Sequence, residues 1–316
     1  MYWDEFSSLA EDMGFKKCFC VSTAPFLIWA NNGNNYRWSS LKSDVLSSYP
    51  WAKNILILLY PYQPYEISRL DEVTIDAYYP ASQKSYYAMR ELTASLRSRG
   101  HQVSDAQDLP AKAALFRTGQ AMYGRNGLTS VQDCGTRFVL HTLVTDTQFA
   151  ALDHESKEYL DGMCLHCRRC MQACPVKAID GNGRIDPDIC IRGYSFSSIL
   201  SEDQRRNVTN SLVGCDICQR VCPRNKNIKE TAMPSEIKAI LDLHRLLEGK
   251  TEELADLIGK NYAVRNRIIA RSILIAVACK RYDALPLLSA LKNSSSPLIR
   301  EYAVWAEGEL NESVDP

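Results

Sequence analysis

Eight of the twelve cysteines in this 316-residue chain lie between positions 164 and 222, and their spacing constrains the fold more than any other feature. The first group, Cys164-Leu-His-Cys167-Arg-Arg-Cys170-Met-Gln-Ala-Cys174-Pro175, is C-x2-C-x2-C-x3-C-P, the pattern of bacterial ferredoxins. The second, Cys215-Asp-Ile-Cys218-Gln-Arg-Val-Cys222-Pro223, lacks one cysteine of that run. Cys190, between the two groups, can supply it. Cysteines two residues apart on a tight loop place thiolates on three corners of one cubane, and the fourth, before a proline, ligates the other cluster. One four-iron four-sulfur cluster is therefore assigned to Cys164, Cys167, Cys170 and Cys222, and a second to Cys174, Cys190, Cys215 and Cys218. The competing assignment is a pair of structural zinc sites, but zinc ribbons do not need a third cysteine two residues on, nor a C-P ending used twice. With four cysteines in its set, His166 reads as a neighbour and not a ligand.

Composition narrows the surroundings of this module. The chain has 37 basic and 37 acidic side chains and 46% apolar residues, enough for a packed core and too balanced for a generic polyanion binder. No apolar run reaches the roughly 18–20 residues a bilayer requires, so no membrane association is expected. The N-terminus is acidic and has no apolar signal region, so a cytoplasmic location is expected, where thiols serve metals and redox chemistry, not disulfides. A free two-cluster ferredoxin needs only about 55–80 residues, so the clusters here are expected to feed something bound by the rest of the chain.

Before the cysteines, Trp3 to Met13 reads as a helix closed by Gly14, and Asn54 to Tyr60 as a buried central strand ended by Pro61. Tyr78 to Gly100 reads as a helix with Met89, Leu92 and Leu96 on one face, and Phe138 to Val144 as a further strand. The fold class expected is α+β, with an N-terminal α/β sandwich at 1–155, a ferredoxin-like double-cluster module at 156–232 and a helical region at 233–316. From Leu109 to Gln132 there are three basic residues, Lys112, Arg117 and Arg125, and no acid, and the same stretch holds Gly119, Gly124 and Gly127. Glycines there let the backbone approach a ligand, yet the dinucleotide and P-loop spacings are both absent. Cys18 and Cys20 open a probable strand and are expected on opposite faces. Cys134 follows the glycine segment and is a candidate to line a pocket, and Cys279 reads as a core residue.

In the helical region, Ile269, Ile273 and Ala276 share one helix face and Leu298, Tyr302 and Trp305 another, with Asn293 to Pro297 as a turn. Leu257 to Tyr282 holds six basic residues (Lys260, Arg265, Arg267, Arg271, Lys280 and Arg281) and no acid. Such a face could contact RNA phosphates.

These motifs together resemble the epoxyqueuosine reductase-like family, cobalamin-dependent double iron–sulfur reductases related to reductive dehalogenases. The eight cysteines carry the resemblance, with Gly214-Cys-Asp-Ile-Cys-Gln-Arg-Val-Cys-Pro-Arg-Asn225. Arg117-Thr-Gly followed by Tyr-Gly-Arg-Asn126 is similar to that family's A-G-L-G-W-x-G-K-N segment, and the C-terminal helices are similar to its HEAT-like repeats. The resemblance implies base-off cobalamin held near Gly119, Tyr123, Gly124, Arg125, Asn126 and Gly127. It further implies a protein acid that donates a proton to the substrate, a tRNA partner reached through 257–282, and an external low-potential donor such as flavodoxin or ferredoxin. The chain is expected to be a monomer. The family's acid motif is altered: Pro110 does not fall three residues after Asp105, and Ala111-Lys112 stands where Glu-Arg is found. Asp105 and Asp108 are both candidate catalytic residues, and Tyr123 is a third. The activity implied is reduction of epoxyqueuosine in tRNA. The alternatives are a related reductase acting on a small molecule, as in dehalogenation, and an electron-transfer protein without catalysis of its own.

Overall fold

The computed structural model describes residues 1–26, 43–66, 69–154, 164, 166–194 and 199–312. The chain packs as two units with interleaved sequence. The first comprises the described residues of 1–62, 84–168 and 223–228; the second comprises those of 63–83, 169–222 and 229 onward.

The first unit opens with helix α1 (Trp3–Asp12), which buries Phe6 and Ala10 and carries Asp4 and Glu5 in its first turn, where the helix dipole favours negative charge. Gly14 stops it at φ +96°, and a Cβ there would meet the Tyr60 ring at 2.7 Å. Then follow β1 (Lys17–Ser22), β2 (Asn54–Pro61), α2 (Tyr78–Ser98), β3 (Val103–Asp105), α3 (Ala111–Arg117), β4 (Ala121–Tyr123), β5 (Thr129–Val131) and β6 (Phe138–Thr145). Four strands form one sheet in the order β1-β2-β6-β3, and every pairing in it is antiparallel. β4 and β5 make a separate hairpin.

The apolar run of β2 is continuous because both faces of the sheet are covered, and the period of two divides it cleanly. Ile55, Ile57 and Leu59 pack with Ala114 and Leu115 of α3. Leu56 and Leu58 pack with Phe6 and Ala10 of α1 and with Met89, Leu92 and Leu96 of α2. The expected helices at the N-terminus and at 78–100 and the expected strands at 54–60 and 138–144 are all present, although Pro61 is the last residue of β2 and does not stop it short. Cys18 and Cys20 correct an expectation. Two apart on β1, they share a face and pack into the same core, as strand geometry requires. Cys134 is buried in the opposite core.

The second unit is helical. Short helices α4 (Arg169–Ala173), α5 (Ile191–Tyr194), α6 (Glu202–Arg206) and α7 (Ile217–Arg220) are followed by α8 (Ser235–Ile240), α9 (Leu243–Leu247), α10 (Glu252–Ile258), α11 (Arg265–Ala278), α12 (Leu285–Leu291) and α13 (Pro297–Glu312). α11 is buried from Ile268 to Ala276 without a break. Around it pack Leu243, Leu246 and Leu247 of α9, Leu288 of α12 and Ile299, Tyr302, Ala303, Ala306 and Leu310 of α13. Ile191, Leu200, Val208, Leu212 and Val213 join the same core. One hydrophobic core thus runs from the cysteine-bearing segment into the C-terminal helices, across position 233.

Candidate functional site

The cysteine site is built from short helices and the loops before them. Cys170 lies on α4 and Cys174 just after it, Cys190 lies immediately before α5, and Cys215 and Cys218 bracket the start of α7. Cys174 is buried with Ala178 and Ile179, and Cys170, Met171, Val176, Ile185, Cys190 and Cys218 pack against them. Burial pushes the Cys215 thiol up to about 12, with Cys190 among the neighbours that raise it. Burial raises the Cys218 thiol further, and Cys215, Cys190, Cys170 and Cys174 all add to the shift. Cys174, Cys190, Cys215 and Cys218, the set assigned to one cluster, lie near one another, with Cys170 of the other set among them. Such thiols, buried or half-buried, are a soft donor set suited to iron, since a bound metal deprotonates its thiols outright. The Cys174 sulfur also accepts from the Ala178 N–H at 3.3 Å, a hydrogen bond that tunes a cluster once it is bound. Among the described residues, no three Cys, His, Asp or Glu side chains converge as they would on a single metal ion. His166 is exposed.

In the first unit, the glycine segment is two tight turns. α3 ends at Thr118, and Gly119 follows at φ +69°, where a Cβ would meet the His154 ring at 3.0 Å. The β4–β5 hairpin closes through Gly124 N–H to the Leu128 carbonyl at 2.8 Å and Gly127 N–H to the Gly124 carbonyl at 2.9 Å. A Cβ on Gly124 would crowd Asn126 Oδ1 at 2.6 Å. Asn126 is only 3% exposed. Its Oδ1 accepts from Leu128 N–H at 3.3 Å, while its Nδ2 is buried with no acceptor among the described residues. A buried amide donor in that state costs about 1–3 kcal/mol, which a bound acceptor would recover. Tyr123 is buried, with its ring tilted against Phe116 at 5.4 Å between centroids.

The three basic residues of this stretch reach backbone carbonyls of their own unit. Arg117 donates to the carbonyls of Ser22, Ala24 and Pro25 and lies over the Phe26 ring at 3.9 Å. Lys112 Nζ donates to the Gly127 carbonyl at 2.7 Å, and Arg125 Nε to the Cys164 carbonyl at 2.6 Å. All three brace the backbone of their own unit.

Neither candidate aspartate is a solvated loop residue. Asp105 ends β3, and burial lifts its carboxyl above the usual carboxylate range against the hydrogen bond from Gln107 Nε2 at 2.5 Å. Asp108 accepts from the Tyr49 hydroxyl at 2.8 Å. That hydrogen bond joins residues 59 apart in sequence, and nothing in the local text announces it. Asn225 is a second residue whose role only the fold displays. Its Oδ1 accepts from Thr136 N–H at 2.7 Å and its Nδ2 donates to the Thr136 hydroxyl at 2.9 Å, which ties the stretch after Cys222 into the first unit.

The basic stretch 257–282 does not present one face. Arg271 is 6% exposed and turned inward, with Nε and Nη2 on the Ser211 carbonyl. Arg265 donates to the carbonyls of Gly249 and Glu248, and Arg281 pairs with Asp283. Lys260, Arg267 and Lys280 are exposed.

Comparison with known proteins adds the following. Residues 163–225 match the 4Fe-4S double cluster binding domain. Epoxyqueuosine reductase of Listeria monocytogenes is 28% identical over 214 residues, 64% of this chain and 54% of that protein. Epoxyqueuosine reductase of Lactococcus garvieae is 31% identical over 212 residues, 63% of this chain and 58% of that protein. The chain thus spans a little over half the length of these relatives. The crystal structure of epoxyqueuosine reductase from Bacillus subtilis shares the fold, with a TM-score of 0.77 at 22% identity, over 97% of this chain and 90% of that one. An epoxyqueuosine reductase crystallised with a tRNA-Tyr epoxyqueuosine-modified tRNA stem loop does so with a TM-score of 0.73 at 21% identity, over 97% and 89%. By sequence this chain is similar to the epoxyqueuosine reductases, it shares their fold, and its residues 163–225 match the 4Fe-4S double cluster binding domain.

Proposed function

We propose that the chain is a cobalamin-dependent iron–sulfur reductase that acts on epoxyqueuosine in tRNA. The observation that carries this reading is the gathering of Cys170, Cys174, Cys190, Cys215 and Cys218 within a double-cluster domain, in a chain similar to enzymes of that name. The functional division is into a cobalamin-binding segment at 1–155, an electron-carrying segment at 156–232 and HEAT-like helices at 233–316. Cys164, Cys167, Cys170 and Cys222 hold the other cluster in this reading. The orphaned Asn126 amide fits an amide-rich ligand such as a base-off corrin. When bound, cobalamin supplies a strongly reducing centre for carbon–oxygen cleavage, and the clusters deliver electrons one at a time from a donor such as flavodoxin or ferredoxin.

The chain's own residues have the remaining tasks. Asn126 Nδ2 donates to the ligand, and Gly119, Gly124 and Gly127 keep side chains out of its way. Asp105, whose carboxyl is raised by burial, is the first candidate to donate a proton as the epoxide oxygen leaves. Converting an epoxide to an alkene breaks both carbon–oxygen bonds and consumes two electrons and two protons, releasing water. Asp108, braced by Tyr49, and Tyr123 are the other candidate donors. The bound stem loop of the structural relative supports a tRNA substrate.

Anaerobic incubation with an epoxyqueuosine-modified stem loop tests the acid. Asp105→Asn is expected to lower turnover by about 10²–10⁴-fold, the range for a general acid. Full activity in both Asp105→Asn and Asp108→Asn would show that neither carboxylate is the donor.

A further inference from the structure

Two charged side chains of opposite sign stand beside the segments that carry Cys190 and Cys215. Arg192 follows Cys190 by two residues, within α5. Its guanidinium lies over the Tyr78 ring at 4.7 Å and the Tyr79 ring at 5.7 Å, and its Nε donates to the Tyr79 hydroxyl at 3.3 Å. The two rings fix a side chain that would otherwise sample many rotamers.

Asp76 is buried beside the segment that leads into Cys215. Its N–H donates to the Val213 carbonyl at 3.2 Å, and its Oδ1 accepts from the Tyr78 N–H at 3.0 Å. Gly214, the residue before Cys215, has φ +91°, and a Cβ there would stand 2.6 Å from Asp76 Cβ, 2.6 Å from the Tyr79 ring and 3.1 Å from Asp76 Oδ2. Only a glycine lets the carboxylate come this close to the Cys215 backbone.

A fixed charge beside a redox centre in a low-dielectric interior shifts its potential. A cation favours the added electron and an anion opposes it. We propose that Arg192 and Asp76 set the reduction potential of the cluster held by Cys174, Cys190, Cys215 and Cys218, with Arg192 raising it and Asp76 lowering it. The proposal rests on those four cysteines being the ligands of one cluster. Both side chains act as fixed charges. The cluster gains a single electron from the external low-potential donor and gives up that same electron, and neither side chain forms or breaks a bond.

The test is a redox titration of the full-length holoprotein, followed by electron paramagnetic resonance, with iron and sulfide measured on the same samples. Cys190→Ser identifies the signal of this cluster by abolishing it. Arg192→Gln is expected to lower that cluster's potential and Asp76→Asn to raise it. Each shift should correspond to about a tenfold change in the reduced-to-oxidised ratio at a fixed solution potential, or about 59 mV for one electron. Arg192→Lys, which keeps the charge and loses the planar stacking, should stay near wild type. A shift of both neutralising variants in the same direction, no shift in either, or Arg192→Lys matching Arg192→Gln overturns the proposal. Should Asp76→Asn not accumulate, the two Arg192 variants decide it. If wild-type protein lacks two clusters, or Cys190→Ser keeps both, the ligand assignment fails and the proposal with it. If both clusters are present and the potentials do not separate in this way, only the role of the charges fails.

Discussion

His141 on β6 shows how a single buried side chain couples this fold to pH. Its Nε2 lies 2.9 Å from the Ser85 hydroxyl, and its ring stands edge-on to Phe15 at 5.9 Å. Burial pushes the imidazole down to about 4 from its ordinary 6.5. A folded value below the unfolded one means that the unfolded chain takes up the proton first. The stability associated with neutral His141 is therefore complete above about pH 6.5 and is lost as the pH falls toward 4. The full shift corresponds to at most roughly 3 kcal/mol, less where solvent reaches the ring. Denaturant unfolding at pH 7 and pH 4 should show wild type losing more stability than His141→Gln by up to that amount. Parallel losses in the two proteins would contradict the assignment. Much of the residue-scale detail was not legible in the sequence. The basic residues of 109–132 and 257–282 are plain in the text, but their directions are not. Arg117 and Arg271 are long enough to reach carbonyls that folding brings from distant parts of the chain, so a run of positive charge became a set of internal braces.

At the scale of elements, periodicity carried the reading where elements are long and two-sided. α1, α2, β2, β6, α11 and α13 all follow from apolar spacing, and the two-faced burial of β2 follows from its unbroken apolar run. The turns were harder, because a glycine's necessity depends on what lies beside it. Gly100 and Gly135 both have positive φ, at +86° and +52°. A Cβ at Gly100 would meet nothing within 4 Å, whereas one at Gly135 would fall 2.1 Å from Asn225 Oδ1 and 2.8 Å from the Arg224 carbonyl. Gly100→Ala is expected to cost about 1 kcal/mol from backbone strain alone. Gly135→Ala should cost about 2–4 kcal/mol, because the added methyl must also displace Asn225 from Thr136. Chemical denaturation of the two variants tests this, and equal losses would show that the Asn225 packing adds nothing.

At the scale of the whole molecule, the linear order of the chain does not announce how it packs. Residues 63–83 belong with the helical unit and 223–228 with the sheet unit, a division set by pairings between residues far apart in sequence, such as Thr136 with Asn225 and Arg271 with Ser211. The double-cluster domain, by contrast, was legible in the cysteine spacing, because ligand spacing is imposed locally by the geometry of a cubane. The same scale governs the proposed RNA binding. Lys260, Arg267 and Lys280 are exposed, while Arg271 is spent inside the unit. Alanine at any of the first three is expected to weaken binding of a modified stem loop. The slope of log affinity against log salt should fall by about 0.7–0.9 for each phosphate that the protein no longer neutralises. Arg271→Ala should instead lower thermal stability. Filter binding across a salt series, with thermal melts, checks both expectations, and a salt slope unchanged in all three surface variants would remove these residues from the interface.

Clusters that supply electrons for reduction at a bound cobalamin are the centre of the proposed function. The most direct measurement is anaerobic turnover of an epoxyqueuosine-modified tRNA stem loop by the reconstituted protein, read as nucleoside mass, with and without added cobalamin and in Cys190→Ser. The predicted result is loss of one oxygen from the modified nucleoside in wild type with cobalamin, and no conversion either without cobalamin or in Cys190→Ser. Conversion that persists without cobalamin or in Cys190→Ser, or its absence in wild-type protein holding both clusters and cobalamin, would contradict that function.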